Sequence, residues 1–239
     1  MLNRRAFLAG GPAFVSGQAS AREDEVVLQQ FQFDSRGHQI RAASFAPVDG
    51  PARGGLVYIH GSGSIGPLDL SFARRFAEQQ KLLILVPVYT DAGRDDGLRY
   101  APLMNAWRRC AIDSVDWLIA NGVAPEKVAI SGYSLGSHIA VDSALSGGRA
   151  RAAIGIAAGW DVYPPRPPRR RIPVQIIRPT SDHHVSPEST TRLIEFLRNA
   201  QVGVRESRVP DGEHLMSPAH WAQAHALAAD FLTDALDLS

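Results

Sequence analysis

A single cysteine, Cys110, stands in the 239 residues. One thiol cannot form an intramolecular disulfide framework, and it excludes a cysteine-based zinc site. Lysine is nearly missing as well, with only Lys81 and Lys127 among the 25 basic residues. Excess charge of either sign is absent: the formal net charge is +1, with 24 acidic residues against the 25 basic ones. That balance excludes a strongly basic nucleic-acid binder and an acidic disordered tail protein. No stretch offers the ~18 consecutive apolar residues that a membrane-spanning helix needs, so stable membrane insertion is not expected. Low complexity is confined to Pro164-Pro165-Arg166-Pro167-Pro168-Arg169-Arg170-Arg171. Proline fixes φ and removes donors, so this segment is expected to be an extended, solvated surface loop with incidental charge.

What the chain does have is an ordinary apolar fraction of 45%, enough to bury one large core. The first 21 residues stand apart. Arg4-Arg5 and Phe7-Leu8 precede an apolar run to Val15, and Ala19-Ser20-Ala21 supplies an A-x-A exit. This plan resembles a twin-arginine export signal, with residues 22–239 as a single domain and a periplasmic or secreted location, the alternative being cytoplasmic. Gly10, Gly11 and Pro12 break the apolar run, which is too short to span a membrane. Without residues 1–21 the charge balance becomes −1. A disulfide-free exported protein fits one that folds before leaving the cytoplasm.

From Val26 onward, apolar runs alternate with amphipathic segments. Strands are predicted over 26–33, 39–45, 56–59, 82–88, 128–131, 153–158, 174–177 and 204–209, and helices over 72–80, 103–120, 138–145, 190–197 and 221–236. Met104, Trp107, Ala111, Val115 and Leu118 recur at three- and four-residue steps, which marks a core-facing stripe. Continuous apolar strands alternating with helices predict an α/β fold: a mostly parallel eight-stranded sheet covered by helices on both faces. Only a short proline-rich connection separates the strand ending near Gly159 from the one beginning near Pro173, so no large cap domain fits there.

Gly132-x-Ser134-x-Gly136 lies between a β-branched strand and a helix. There the glycines permit a sharp turn that lifts the serine above the sheet. A serine nucleophile needs a histidine base, and the base needs an orienting carboxylate. Asp182 and His214 each follow a strand, and so fall at the sheet edge where Ser134 lies. The catalytic set is therefore Ser134, Asp182 and His214, with Asp161 the weaker acid. For the oxyanion, the Leu135 N–H is one donor and the Ser62 N–H the other, Gly61 being the less favoured alternative. Trp160 and Tyr163 follow a strand end and could line the substrate pocket. Thr90 to Pro102, which includes Asp91, forms another rim. Cys110 reads as a small buried hydrophobe, His60 as a support for the oxyanion loop, and His183-His184 as a loop pair rather than a metal site. No cofactor or metal is required.

Gly132-Tyr133-Ser134-Leu135-Gly136, His60-Gly61-Ser62-Gly63, Thr180-Ser181-Asp182 and Gly212-Glu213-His214 together resemble the motifs of the α/β-hydrolase superfamily. Within it the chain is similar to dienelactone-hydrolase-like single-domain esterases, over about Val26 to Leu236. Those enzymes carry cysteine at the elbow where this chain has Ser134. The resemblance implies a serine hydrolase of carboxylic esters, and a site without a cap domain suits small or extended ones. Thioesters, lactones and amides are alternative substrates, and a non-catalytic binding module on the same fold is the alternative of another class.

Overall fold

In the computed structural model, residues 26–93, 100–160 and 165–238 are described. The chain enters on a hairpin, β1 (Val26–Ser35) and β2 (His38–Pro47). The two residues between them, Arg36 and Gly37, both have positive φ, at 53° and 91°. That is the geometry of a tight turn matching the twist of its strands. The Asp34 carboxylate accepts the Gly37 N–H and fixes the turn.

Six more strands follow: β3 (Gly54–Ile59), β4 (Leu82–Pro87), β5 (Val128–Tyr133), β6 (Ala152–Ile156), β7 (Val174–Pro179) and β8 (Val204–Val209). They form one sheet in the order β1-β2-β4-β3-β5-β6-β7-β8. β2 pairs antiparallel with both β1 and β4 and so runs against the other seven strands, and the pairs from β4 through β8 are parallel. The expected eight-stranded sheet is therefore present.

Five helices cover it: α1 (Pro67–Gln79), α2 (Tyr100–Ala120), α3 (Leu135–Ser146), α4 (Pro187–Asn199) and α5 (Pro218–Ala235). Along β3 the side chains divide by the two-residue period of a strand. Leu56 and Tyr58 pack with Phe72 and Phe76 of α1 and with Trp221 and Phe231 of α5. Val57 and Ile59 pack on the other face with Met104 and Trp107 of α2, Ile139 of α3 and Leu193 of α4. All six of these β3 and α2 side chains are essentially inaccessible. The connection from β6 to β7 occupies residues 157–173, too few for a helical cap domain.

Part of the arginine-rich segment corrects the expectation of a solvated loop. The Arg170 guanidinium reaches the carbonyl oxygens of Ala144 at 3.0 Å, Ala150 at 2.8 Å, and Gly148. The backbone N–H groups of Arg169 and Arg170 both donate to Leu145 O. Together they satisfy the Ala144 and Leu145 carbonyls that the end of α3 leaves open, and those of Gly148 and Ala150 in the turn beyond it. Arg166 donates to Asn105 of α2. Behind this strap, Arg108 and Asp142 form an ion pair with both side chains about 95% buried. Burial pushes the Asp142 carboxyl upward against the pull of Arg108 and Arg166.

No helix among the described residues is long and apolar enough to cross a membrane. The twin-arginine segment lies outside the described residues.

Candidate active site

Parallel strands deliver their following loops to one edge of the sheet, and four such loops build the site. After β5 the chain turns abruptly at Ser134, with φ 52° and ψ −121°, and continues directly into α3. Such a conformation is costly for any residue with a Cβ. The flanking glycines make the turn sterically possible. A Cβ on Gly132 would lie 2.1 Å from the Gly136 oxygen, and one on Gly136 would lie 2.3 Å from the oxygens of Ile59 and His60. The turn is held by Ser134 N–H donating to Ile156 O and by Ser137 N–H donating to Ser134 O, both at 2.9 Å.

The three residues expected to meet do so. Ser134 Oγ lies 2.9 Å from His214 Nε2. His214 Nδ1 lies 2.8 Å from Asp182 Oδ2. A carboxylate only accepts, so Nδ1 carries the proton; in a neutral ring Nε2 is then the acceptor, facing the serine hydroxyl. The second carboxylate oxygen, Asp182 Oδ1, accepts the N–H groups of His184 and Val185, each at 2.8 Å. Asp182 is 4% exposed, and burial alone would raise its pKa. The hydrogen bonds from His214 and from the two backbone N–H groups outweigh that, and its pKa lies below the usual carboxylate value. The acid therefore stays ionised beside the imidazole.

The loop after β3 is anchored at both ends. Tyr89 OH donates to Gly61 O at 2.9 Å, and His60 Nδ1–H donates to the same oxygen at 2.8 Å. The His60 ring is fully buried and stacks on Tyr89 with centroids 4.4 Å apart. Its burial lowers its pKa, so the ring is neutral and acts as the expected support. At the far end, Asp69 in the first turn of α1 accepts Gly66 N–H and Tyr58 OH, each at 2.8 Å.

Tyr133 was not anticipated as a site residue. Its hydroxyl donates to the backbone oxygen of His214, and its ring lies 5.4 Å from the imidazole. Burial first, then the charges of Asp182 and Asp69, push its pKa up to about 12, which keeps it a phenol donor. His184, read from the sequence as half of a loop pair, stacks on His214 at 4.9 Å with 29° between the planes. The sequence signal for either is adjacency to Ser134 or Asp182. Asp182, His184 and His214 bring ligand atoms within 4.8 Å of one another, the one such set of three found among the described residues.

Other expectations fall elsewhere. The Trp160 ring packs edge-on against Phe196 of α4 at 5.1 Å, with the Arg192 guanidinium 4.8 Å from its centroid. These contacts place the ring against α4. Tyr163 and Asp161 lie outside the described residues, as do residues 94–99 of the second rim. Asp91 of that rim is engaged by Arg41, through its backbone N–H at 3.0 Å and its guanidinium at 2.9 Å. Cys110 is fully buried in the core, and burial pushes its thiol up to about 12, so it is no nucleophile.

Among curated protein sequences none matches the chain. Solved structures of the same fold are numerous. A dienelactone hydrolase-like promiscuous phosphotriesterase, P91, from metagenomic libraries aligns at TM-score 0.72 and 16% identity, covering 88% of this chain and 99% of its own. An esterase of Pyrobaculum calidifontis aligns at TM-score 0.71 and 15% identity, covering 87% and 85%. Est1E of Butyrivibrio proteoclasticus aligns at 0.65 and 13%, covering 87% and 99%. At such identities these likenesses establish the α/β-hydrolase fold. The family model for the dienelactone hydrolase family matches residues 98–230, more than half of the chain and a span holding Ser134, Asp182 and His214. The chain belongs to the dienelactone hydrolase family of carboxylic ester hydrolases.

Proposed function

We propose that the protein is a serine esterase working through an acyl-enzyme on Ser134. The observation that carries this reading is the hydrogen-bonded series Ser134 Oγ, His214 Nε2, His214 Nδ1, Asp182 Oδ2. Ser134 Oγ attacks the ester carbonyl carbon while His214 Nε2 takes its proton. The resulting imidazolium is stabilised by Asp182, then protonates the departing alkoxide. Water, deprotonated by the same nitrogen, attacks the acyl carbon and releases the acid and free Ser134.

The oxyanion is held by the backbone N–H groups of Leu135 and Ser62. Leu135 is the first residue of α3, so its N–H has no partner within the helix. For Ser62 the support is geometric. Gly61 O points to Tyr89 and His60, and across a trans peptide the Ser62 N–H points the opposite way. Gly61 is the weaker alternative. The short β6–β7 connection favours an open site and thus small or extended esters over long buried acyl chains. Serine in place of cysteine at the elbow argues against a dienelactone as the substrate. Export through the twin-arginine signal is part of the same proposal; replacing Arg4 and Arg5 by lysine should hold the protein in the cytoplasmic fraction.

A panel of short p-nitrophenyl esters, lactones and thioesters tests the reaction class. Esters should be cleaved fastest, and Ser134→Ala should lower kcat by ~10⁴ or more. Lack of turnover on every ester, or full activity in Ser134→Ala, would overturn the reading.

A further inference from the structure

The Asp182–His214 pair has the arrangement that prepares an imidazole to bind a metal. One ring nitrogen donates to a carboxylate, which fixes the tautomer and leaves the other nitrogen's lone pair outward and basic. Here the exposed ring of His184 lies against His214, with 4.9 Å between centroids. Its ligand nitrogen falls within 4.8 Å of the ligand atoms of both His214 and Asp182. The His184 ring makes no hydrogen bond among the described residues; only its backbone N–H is engaged, by Asp182. A turn of this exposed side chain about its own χ angles is therefore unopposed by any lost bond. Two imidazole nitrogens each ~2.0–2.1 Å from one ion form half of a tetrahedral zinc shell.

We propose that His184 and His214 together form a reversible inhibitory site for a borderline divalent cation such as Zn²⁺. The ion takes the Nε2 lone pair of His214, the same pair that must accept the Ser134 proton. Asp182 supports that nitrogen as a ligand through Nδ1, as it supports it as a base. Ser134 Oγ, 2.9 Å from Nε2, lies in the direction that the ion must take, so binding turns the serine hydroxyl aside and solvent fills the remaining coordination positions. Bound metal and general-base catalysis are thus mutually exclusive. Hard cations are not retained, because imidazole is a poor ligand for Mg²⁺ and Ca²⁺. The inhibition, though not the binding, rests on the reading of His214 as the base.

The test titrates ZnCl₂ against the full chain in a buffer that does not chelate, followed both by calorimetry and by hydrolysis of a p-nitrophenyl ester. One ion should bind per chain, inhibition should be reversed by EDTA, and millimolar MgCl₂ should have no effect. His184→Phe keeps an aromatic ring on His214 and the backbone N–H on Asp182. It should raise both the Zn²⁺ dissociation constant and the half-inhibitory concentration by about tenfold or more. His183→Phe should change either by less than about threefold. The proposal is overturned if Zn²⁺ neither binds nor inhibits at millimolar concentration, or if His184→Phe is as sensitive as the parent. It is equally overturned if His183→Phe abolishes the effect. Calorimetry separates the two readings: His184-dependent binding in a chain that cleaves no ester keeps the metal site and removes the esterase. Ester cleavage indifferent to Zn²⁺ does the reverse.

Discussion

The hydroxyl of Tyr89 donates to the carbonyl oxygen of Gly61 at 2.9 Å, twenty-eight residues away in sequence. That bond orients the Gly61–Ser62 peptide, and with it the N–H assigned to the oxyanion. In Tyr89→Phe the Gly61 carbonyl keeps only the His60 bond and that end of the loop samples other orientations. Since a small misplacement of a catalytic group is enough to slow chemistry, kcat should fall about tenfold with KM changed little. Steady-state kinetics on one p-nitrophenyl ester checks this. An unchanged kcat would remove Tyr89 from the positioning of the loop.

The backbone at Ser134 reverses an ordinary expectation. Glycine usually costs ~0.5–1 kcal/mol relative to alanine. At φ 52° and ψ −121° the alanine retains the strain and glycine relieves it. Both Ser134→Gly and Ser134→Ala should be inactive, yet the glycine variant should be the more stable by about 1 kcal/mol in urea denaturation. By contrast, Gly132→Ala drives a Cβ to 2.1 Å from a backbone oxygen and should not yield folded protein.

The meeting of three residues at this site is legible in the sequence. Ser134, Asp182 and His214 could be chosen because apolar runs end just before them, and parallel strands bring such ends together. Helix beginnings were less legible. The apolar period of α1 and α5 becomes visible at Phe72 and Trp221, but the helices start at Pro67 and Pro218. Proline at the first helical position, with Ser217 accepting the His220 N–H ahead of α5, sets those starts. Contacts between distant elements left no local trace. Neither the Tyr133 hydroxyl on His214 O nor Tyr89 on Gly61 O follows from spacing. Arg170 is the least legible residue, because composition alone makes its segment look solvated while the carbonyls of Ala144 at the end of α3 and of Gly148 and Ala150 beyond it need a donor.

Arg170 should therefore matter to stability and not to chemistry. Arg170→Met keeps much of the aliphatic stem and removes the donors to Ala144, Gly148 and Ala150. Leaving buried carbonyls unsatisfied should cost about 2 kcal/mol. Urea unfolding should register this loss, while kcat at 25 °C stays within about twofold of the parent.

His225 should shape the acid limb of the stability curve. It is 4% exposed, lies against Phe76 at 4.3 Å, and its pKa is lowered to about 4 by burial and, secondarily, by Arg75. An unfolded chain protonates this ring near pH 6.5, whereas the folded chain holds it neutral down to about 4. Between those values the unfolded state binds more protons, so stability is complete above pH 6.5 and falls as the pH drops towards 4. The loss amounts to roughly 3 kcal/mol. In His225→Phe that part of the decline should vanish, which melting temperatures at pH 4, 5, 6 and 7 would reveal. An identical slope in the variant would assign the acid sensitivity to other groups.

The reading of Ser134 as nucleophile is tested most directly by intact-protein and peptide mass spectrometry after treatment with a fluorophosphonate. The parent should gain one adduct, located on Ser134. His214→Gln should label slower by about a thousandfold or more, and Ser134→Ala not at all. An adduct on any other residue, or equal labelling of parent and His214→Gln, would contradict a Ser134–His214–Asp182 mechanism.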